Sequence, residues 1–106
     1  MSTLQAMRAA IHAVLPSFPA VRRVYLFGSV LRSGAMRAVS DVDVAVEGEL
    51  SAEEYFALWR ELERAAPGWA IDLVEIERTP RLAARIRETG ELIYERDPGI
   101  ESRHRG

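Results

Sequence analysis

The chain is predicted to be an α/β fold, a small mixed sheet of three to four strands flanked by helices. Two observations lead there. Stretches with helical spacing of apolar residues alternate with short runs rich in β-branched and aromatic residues, in the order α-β-α-β-α-β-α-β. Proline or glycine punctuates most junctions, at Pro16, Pro19, Gly28, Gly34, Gly48, Pro67-Gly68 and Gly90. At 106 residues the length is that of one domain, with no room for a second folded unit.

Leu4, Met7, Ile11 and Val14 recur at helical spacing, so a first helix is expected from Ser2 or Thr3 to Leu15, ended by Pro16 and Pro19. Arg22 to Phe27 is the first strand, rich in β-branched and aromatic residues. Gly28-Ser29 turns the chain into a short helical stretch, Val30 to Arg32, closed by Ser33-Gly34, and a loop runs from Ala35 to Ser40. Asp41 to Glu47 is the second strand. Ser51 with Glu54 three residues later predicts a capping box, opening a helix whose stripe is Tyr55, Leu58, Leu62 and Ala65 or Ala66, widened by Trp59. Trp69 to Ile76 is the third strand. Thr79-Pro80 predicts an N-cap with proline at the first helical position, Leu82, Ala83 and Ile86 a buried face, and Gly90 the C-terminal cap. Leu92-Ile93-Tyr94 is a short final edge strand. Residues 97–106 carry turn residues and charge but no core, so a flexible tail is expected there.

Composition excludes several functions. Hydrophobic residues make up 48% and charged residues 28%, an ordinary balance for a globular domain. A formal net charge of -2 argues against a free-standing nucleic-acid binder, and no stable DNA binding is expected. Cysteine is absent, which removes disulfides, thiolate chemistry and zinc ribbons, and fits a cytoplasmic location. The N-terminus lacks the features of a signal peptide, and no apolar run approaches the roughly 18 residues needed to cross a membrane. There is no lysine among the 14 basic residues that are not histidine. That removes a P-loop lysine, a Schiff base and a lysine general base, together with the lysine on which receiver-type phosphoacceptor domains rely.

The chemistry is concentrated in two segments, Tyr25-Leu26-Phe27-Gly28-Ser29 and Ser40-Asp41-Val42-Asp43-Val44-Ala45-Val46. On a strand Asp41 and Asp43 point to one side and Val42, Val44 and Val46 to the other. Adjacent carboxylates repel unless a cation lies between them. Asp72 sits in another strand-like run, and if that strand pairs beside the second, all three carboxylates can face common cations. Oxygen ligands of this kind suit Mg²⁺, and two such ions can clamp an in-line displacement at phosphorus. In that arrangement Asp41 and Asp43 bind metal. Asp72 binds the second metal and helps deprotonate an acceptor hydroxyl. The backbone amides of Gly28 and Ser29, with the Ser29 hydroxyl, hold β- and γ-phosphates, glycine allowing close approach. Arg32 and Arg37 are candidates to neutralise phosphate charge.

Gly28-Ser29, a loop, Asp41-Val42-Asp43 and then Asp72 resemble the nucleotidyltransferase superfamily that includes DNA polymerase β. The short length and the two segments quoted above resemble its minimal nucleotidyltransferases, many of which are antitoxins paired with a small helical HEPN toxin. The resemblance covers roughly Val21 to Tyr94. It implies one nucleotidyltransferase domain over residues 1–96, Mg²⁺ (two ions), ATP as donor, and transfer of AMP to a hydroxyl, often a tyrosine of the HEPN partner. Two departures stand out. Val30 to Ser40 is eleven residues, one more than the family's usual ten, and Val30 stands where many relatives carry arginine.

The remaining candidates read as structure: His12 as a boundary residue of the first helix, His104 as part of the tail, Trp59 and Trp69 as core or partner contacts, Tyr25 and Tyr94 as packing, and Arg81, Arg85 and Arg87 as a solvated helix face. Nothing in the sequence favours Tyr55 as a self-modification site. The leading expectation is an enzyme that adenylylates a HEPN toxin in a hetero-oligomer. The alternatives are an antitoxin acting by contact alone and nucleotidyl transfer to a small molecule or RNA.

Overall fold

The computed structural model describes residues 3–28 and 41–96. Helix α1 (Thr3–Val14) runs into a 3₁₀ turn (Leu15–Ser17) and then strand β1 (Val21–Phe27). Strand β2 (Asp41–Gly48), helix α2 (Ala52–Ala65), strand β3 (Ala70–Glu75), a second 3₁₀ turn (Ile76–Arg78), helix α3 (Pro80–Thr89) and strand β4 (Glu91–Glu95) follow. The short helix expected at Val30 to Arg32 and the expected tail at 97–106 lie outside the described residues.

The four strands form one mixed sheet in the order β3-β2-β1-β4. β1 runs antiparallel to both β2 and β4, whereas β2 and β3 are parallel. The parallel pair follows from the connection, since α2 carries the chain back across the sheet between them. β4 is an edge strand, as expected.

Strand alternation divides the apolar residues between two faces. Val24, Leu26, Val42, Val44, Val46, Ile71 and Leu73 pack with Met7, Ile11, Leu58 and Leu62, so α1 and α2 cover one face. The other face is smaller: Tyr25, Ala45, Ile76 and Ile86 cluster together, with Phe27 and Ala83 against them, beneath α3.

Local signals explain most boundaries. The Ser51–Glu54 capping box is present in both directions, Ser51 N–H donating to Glu54 at 2.8 Å and Glu54 N–H to Ser51 Oγ at 3.1 Å. Three details differ from expectation. Thr79 is the N-cap of α3, but its hydroxyl makes no cap bond; it donates to the Glu75 carbonyl at 3.1 Å, because the 3₁₀ turn just before it leaves that carbonyl within reach. That turn also ends β3 at Glu75. Leu82 is exposed rather than buried, because Ala83 and Ile86 make the contact with the sheet and Leu82 lies on the flank of that stripe. Gly90 caps α3 with an extended backbone (φ -76°), and glycine is suited here by close approach: a Cβ would sit 2.6 Å from the Ile86 carbonyl oxygen and 3.1 Å from that of Leu26.

His12 lies on the solvent side of α1, where Nε2 donates to the Ile93 carbonyl at 2.9 Å and the ring meets Tyr94 edge-on. Among the described residues no helix is long and apolar enough to cross a membrane.

Candidate active site

β1 ends at Phe27, and Gly28 follows with φ +82°, in the left-handed region that glycine enters without a steric penalty. Because β1 and β2 are antiparallel, the end of β1 lies beside the start of β2, and Phe27 pairs with Asp43. Because β2 and β3 are parallel, the start of β3 lies at that same end, and Asp43 pairs with Asp72. Paired residues project to the same face, so Phe27, Asp43 and Asp72 form a row across three strands, with strands about 4.8 Å apart. Asp43 is half-buried and Asp72 is exposed.

The other sequence-derived candidates are placed unevenly. Asp41 begins β2 and pairs with Ala70, one pleat before the Asp43–Asp72 pair, and only its backbone is described. Ser29, Arg32 and Arg37 lie outside the described residues. Gly28 is brought directly against the carboxylate row, since a Cβ there would overlap Asp43 Oδ2 and sit 3.1 Å from its Cγ.

The donors in this row are hard carboxylate oxygens, the chemistry that suits Mg²⁺ better than the nitrogen and sulfur sets preferred by zinc. Gly28, having no side chain, lets the Asp43 carboxylate lie where a Cβ would otherwise be. Asp43 and Asp72, adjacent and on one face, therefore fit a divalent cation. Among the described residues no group of three such ligands is gathered. Burial pushes the Tyr55 phenol above its ordinary value, and the carboxylates of Glu75 and Asp72 push it the same way. Tyr55 spends its hydroxyl on the Leu73 carbonyl, the residue after Asp72.

One cluster had no counterpart in the sequence reading. Glu47 continues the Asp43-Ala45 side of β2 and is buried. It accepts from Arg23 Nη1 at 3.2 Å and Arg87 Nη2 at 3.3 Å, with Arg22 Nη2 3.9 Å away. Arg23 also donates to Glu95 at 2.9 Å, and these bonds, that to Glu47 first, hold its guanidinium even more firmly protonated than usual. The arginine group thus sits at the opposite end of the sheet from Asp43 and compensates a buried carboxylate. Its signal was available, as Asp41, Asp43, Ala45 and Glu47 share one parity on the strand, but the arginines come from β1 and α3 and no local pattern links them.

The family model for polymerase β nucleotidyltransferases (Polymerase beta, Nucleotidyltransferase) matches residues 9–99. The chain belongs to this nucleotidyltransferase family. A solved structure assigned as a minimal nucleotidyltransferase is 30% identical, with a TM-score of 0.69, and the match covers 85% of this chain and 94% of that one. A toxin–antitoxin crystal structure with AMP-PNP is similar at 24% identity and a TM-score of 0.70, covering 89% of this chain and 77% of that one. A complex of a tri-AMPylated Shewanella oneidensis HEPN toxin with its MNT antitoxin is similar at 23% identity and a TM-score of 0.65, covering 92% and 76%. These two show the shared fold. No curated protein matches the chain significantly. At the end of its sheet this member of the family carries an in-register pair of aspartates, Asp43 and Asp72.

Proposed function

We propose that this nucleotidyltransferase moves AMP from Mg²⁺-bound ATP to a hydroxyl of a HEPN toxin, a tyrosine hydroxyl above all, and thereby acts as its antitoxin in the cytoplasm. The observation that carries the reading is the Asp43–Asp72 pair, in register beside Gly28. Similarity to a toxin–antitoxin structure with AMP-PNP and to a complex with a tri-AMPylated HEPN toxin supports the donor and the partner.

Asp41 and Asp43 would hold Mg²⁺, and Asp72 a second ion. Bound there, Mg²⁺ supplies charge neutralisation of the triphosphate and of the leaving group. The backbone at Gly28 and Ser29 would orient the β- and γ-phosphates, with Arg32 as a further charge partner. Asp72 is suited to the acceptor side because its carboxylate is exposed and so reachable by a hydroxyl carried on another chain. Asp72 takes the hydroxyl proton as the oxygen bonds to the α-phosphorus. The bond from that phosphorus to the bridging oxygen breaks, and pyrophosphate leaves with the electron pair.

The test is incubation of the chain with its HEPN partner and Mg-ATP, followed by intact mass measurement. One or more AMP-sized additions to the partner, lost with Asp43→Ala, are expected. No added mass, or full activity in Asp43→Ala, would refute the reading. An Asp43→Ala variant that still neutralises the toxin would establish inhibition by contact alone.

A further inference from the structure

Gly28 meets the carboxylate row more closely than a turn requires. Its φ of +82° would be satisfied by any residue that tolerates the left-handed region, at some strain. Space is the harder constraint. The position a Cβ would occupy is taken by Asp43: Oδ2 overlaps it, and Cγ and Cβ lie 3.1 and 3.5 Å away. The contact is with the carboxylate itself, the part of Asp43 that would face a cation. A second glycine separates the two effects. Gly68 has φ +92°, yet nothing lies within 4 Å of where its Cβ would be. Backbone strain is thus comparable at the two positions, and only Gly28 adds a collision.

We infer that Gly28 is a positioning residue for Asp43: the missing side chain lets the Asp43 carboxylate lie flat across the end of β1, where it stays in line with Asp72. The inference rests on the metal-holding role given to Asp43 above. It assigns Gly28 a second duty besides close approach to phosphate. Any side chain at Gly28 turns the carboxylate out of the row, and metal affinity falls before the fold does. With Asp43 turned away, the ion it would share with Asp41 keeps a single protein carboxylate, a weak hold on a hydrated divalent ion.

The experiment is a double-mutant cycle on the full chain, with Gly28→Ala, Asp43→Ala, the double variant, and Gly68→Ala as the strain control. Two quantities are read: the midpoint of urea unfolding without metal, and the affinity for Mn²⁺ alone by titration calorimetry. Gly28→Ala is expected to shift the midpoint down by more than Gly68→Ala does. In the Asp43→Ala background the same substitution should cost no more than Gly68→Ala, because the colliding carboxylate is gone. Gly28→Ala should weaken Mn²⁺ binding on the order of 10–100-fold, the usual effect of losing a group that orients a ligand, while Gly68→Ala leaves it unchanged. Equal costs of Gly28→Ala in the two backgrounds would overturn the inference, as would unchanged Mn²⁺ affinity in folded Gly28→Ala. If the unaltered chain takes up no Mn²⁺, the metal role of Asp43 fails, and the unfolding cycle still decides whether Gly28 positions it.

Discussion

At the scale of single residues, Asp43 and Asp72 differ in environment, and the roles proposed for them follow that difference. Asp43 is half-buried between β1 and β3, whereas Asp72 is exposed on an outer strand. Asp72→Asn would remove the acceptor-side base of the proposed reaction with little change in packing. It should lower the rate of AMP transfer by about 10²- to 10⁴-fold, with an unfolding midpoint close to that of the unaltered chain; transfer assays beside urea melts check both. Tyr55 allows a pH prediction. Burial and nearby carboxylates raise its pKa on folding, so the neutral phenol is favoured in the native state. The stabilisation is fully present below about pH 10 and is lost as pH rises through the folded value. Tyr55→Phe also loses the hydrogen bond to the Leu73 carbonyl, worth about 0.5–1.5 kcal/mol. The variant should be less stable at neutral pH, and the gap should narrow above pH ~10 in denaturation measured across the alkaline range.

Helix α2 shows what an element owes to its ends. Its Ser51–Glu54 capping box is exposed and remote from the carboxylate row, so it can be altered without creating a cavity or touching the chemistry. Ser51→Ala should cost about 1 kcal/mol, seen as a lower urea midpoint with an unchanged slope, and should leave AMP transfer intact. A larger loss would mean that the cap also anchors the connection after β2. Capping boxes are legible in sequence because donor and acceptor are three residues apart. Thr79 is the N-cap as expected, but without a side-chain cap bond, because its hydroxyl has a competing acceptor in the Glu75 carbonyl, exposed by a 3₁₀ turn that periodicity does not reveal.

At the scale of the whole molecule, one sheet serves two unequal cores. Leu58 of α2 is fully buried in the larger core, and Ile86 sits in a small cluster beneath α3, near which Leu82 and Leu92 stay exposed. Leu58→Ala should cost about 2–5 kcal/mol, and Ile86→Ala the lower end of that range, because the thinner layer can settle into the space left behind. Denaturation followed by circular dichroism and by Trp59 and Trp69 fluorescence should give coincident single transitions for both variants; separated transitions would show that the two layers unfold independently.

The sequence by itself determined the alternation of helices and strands, the capping box, the parity that sets Asp41 and Asp43 apart from the valines, and the family resemblance, since all of these are carried by neighbours along the chain. It could propose Asp72 only conditionally, because its place depends on which strand pairs with which and in what register. Tertiary structure decided that pairing: β3 docks parallel to β2 so that Asp72 falls beside Asp43 and not one residue away on the opposite face. It also decided that Glu47 is caged by arginines from three distant positions and that Gly28 abuts the Asp43 carboxylate. Contacts of this kind join residues between 15 and 40 positions apart, where no local period or cap can report on them.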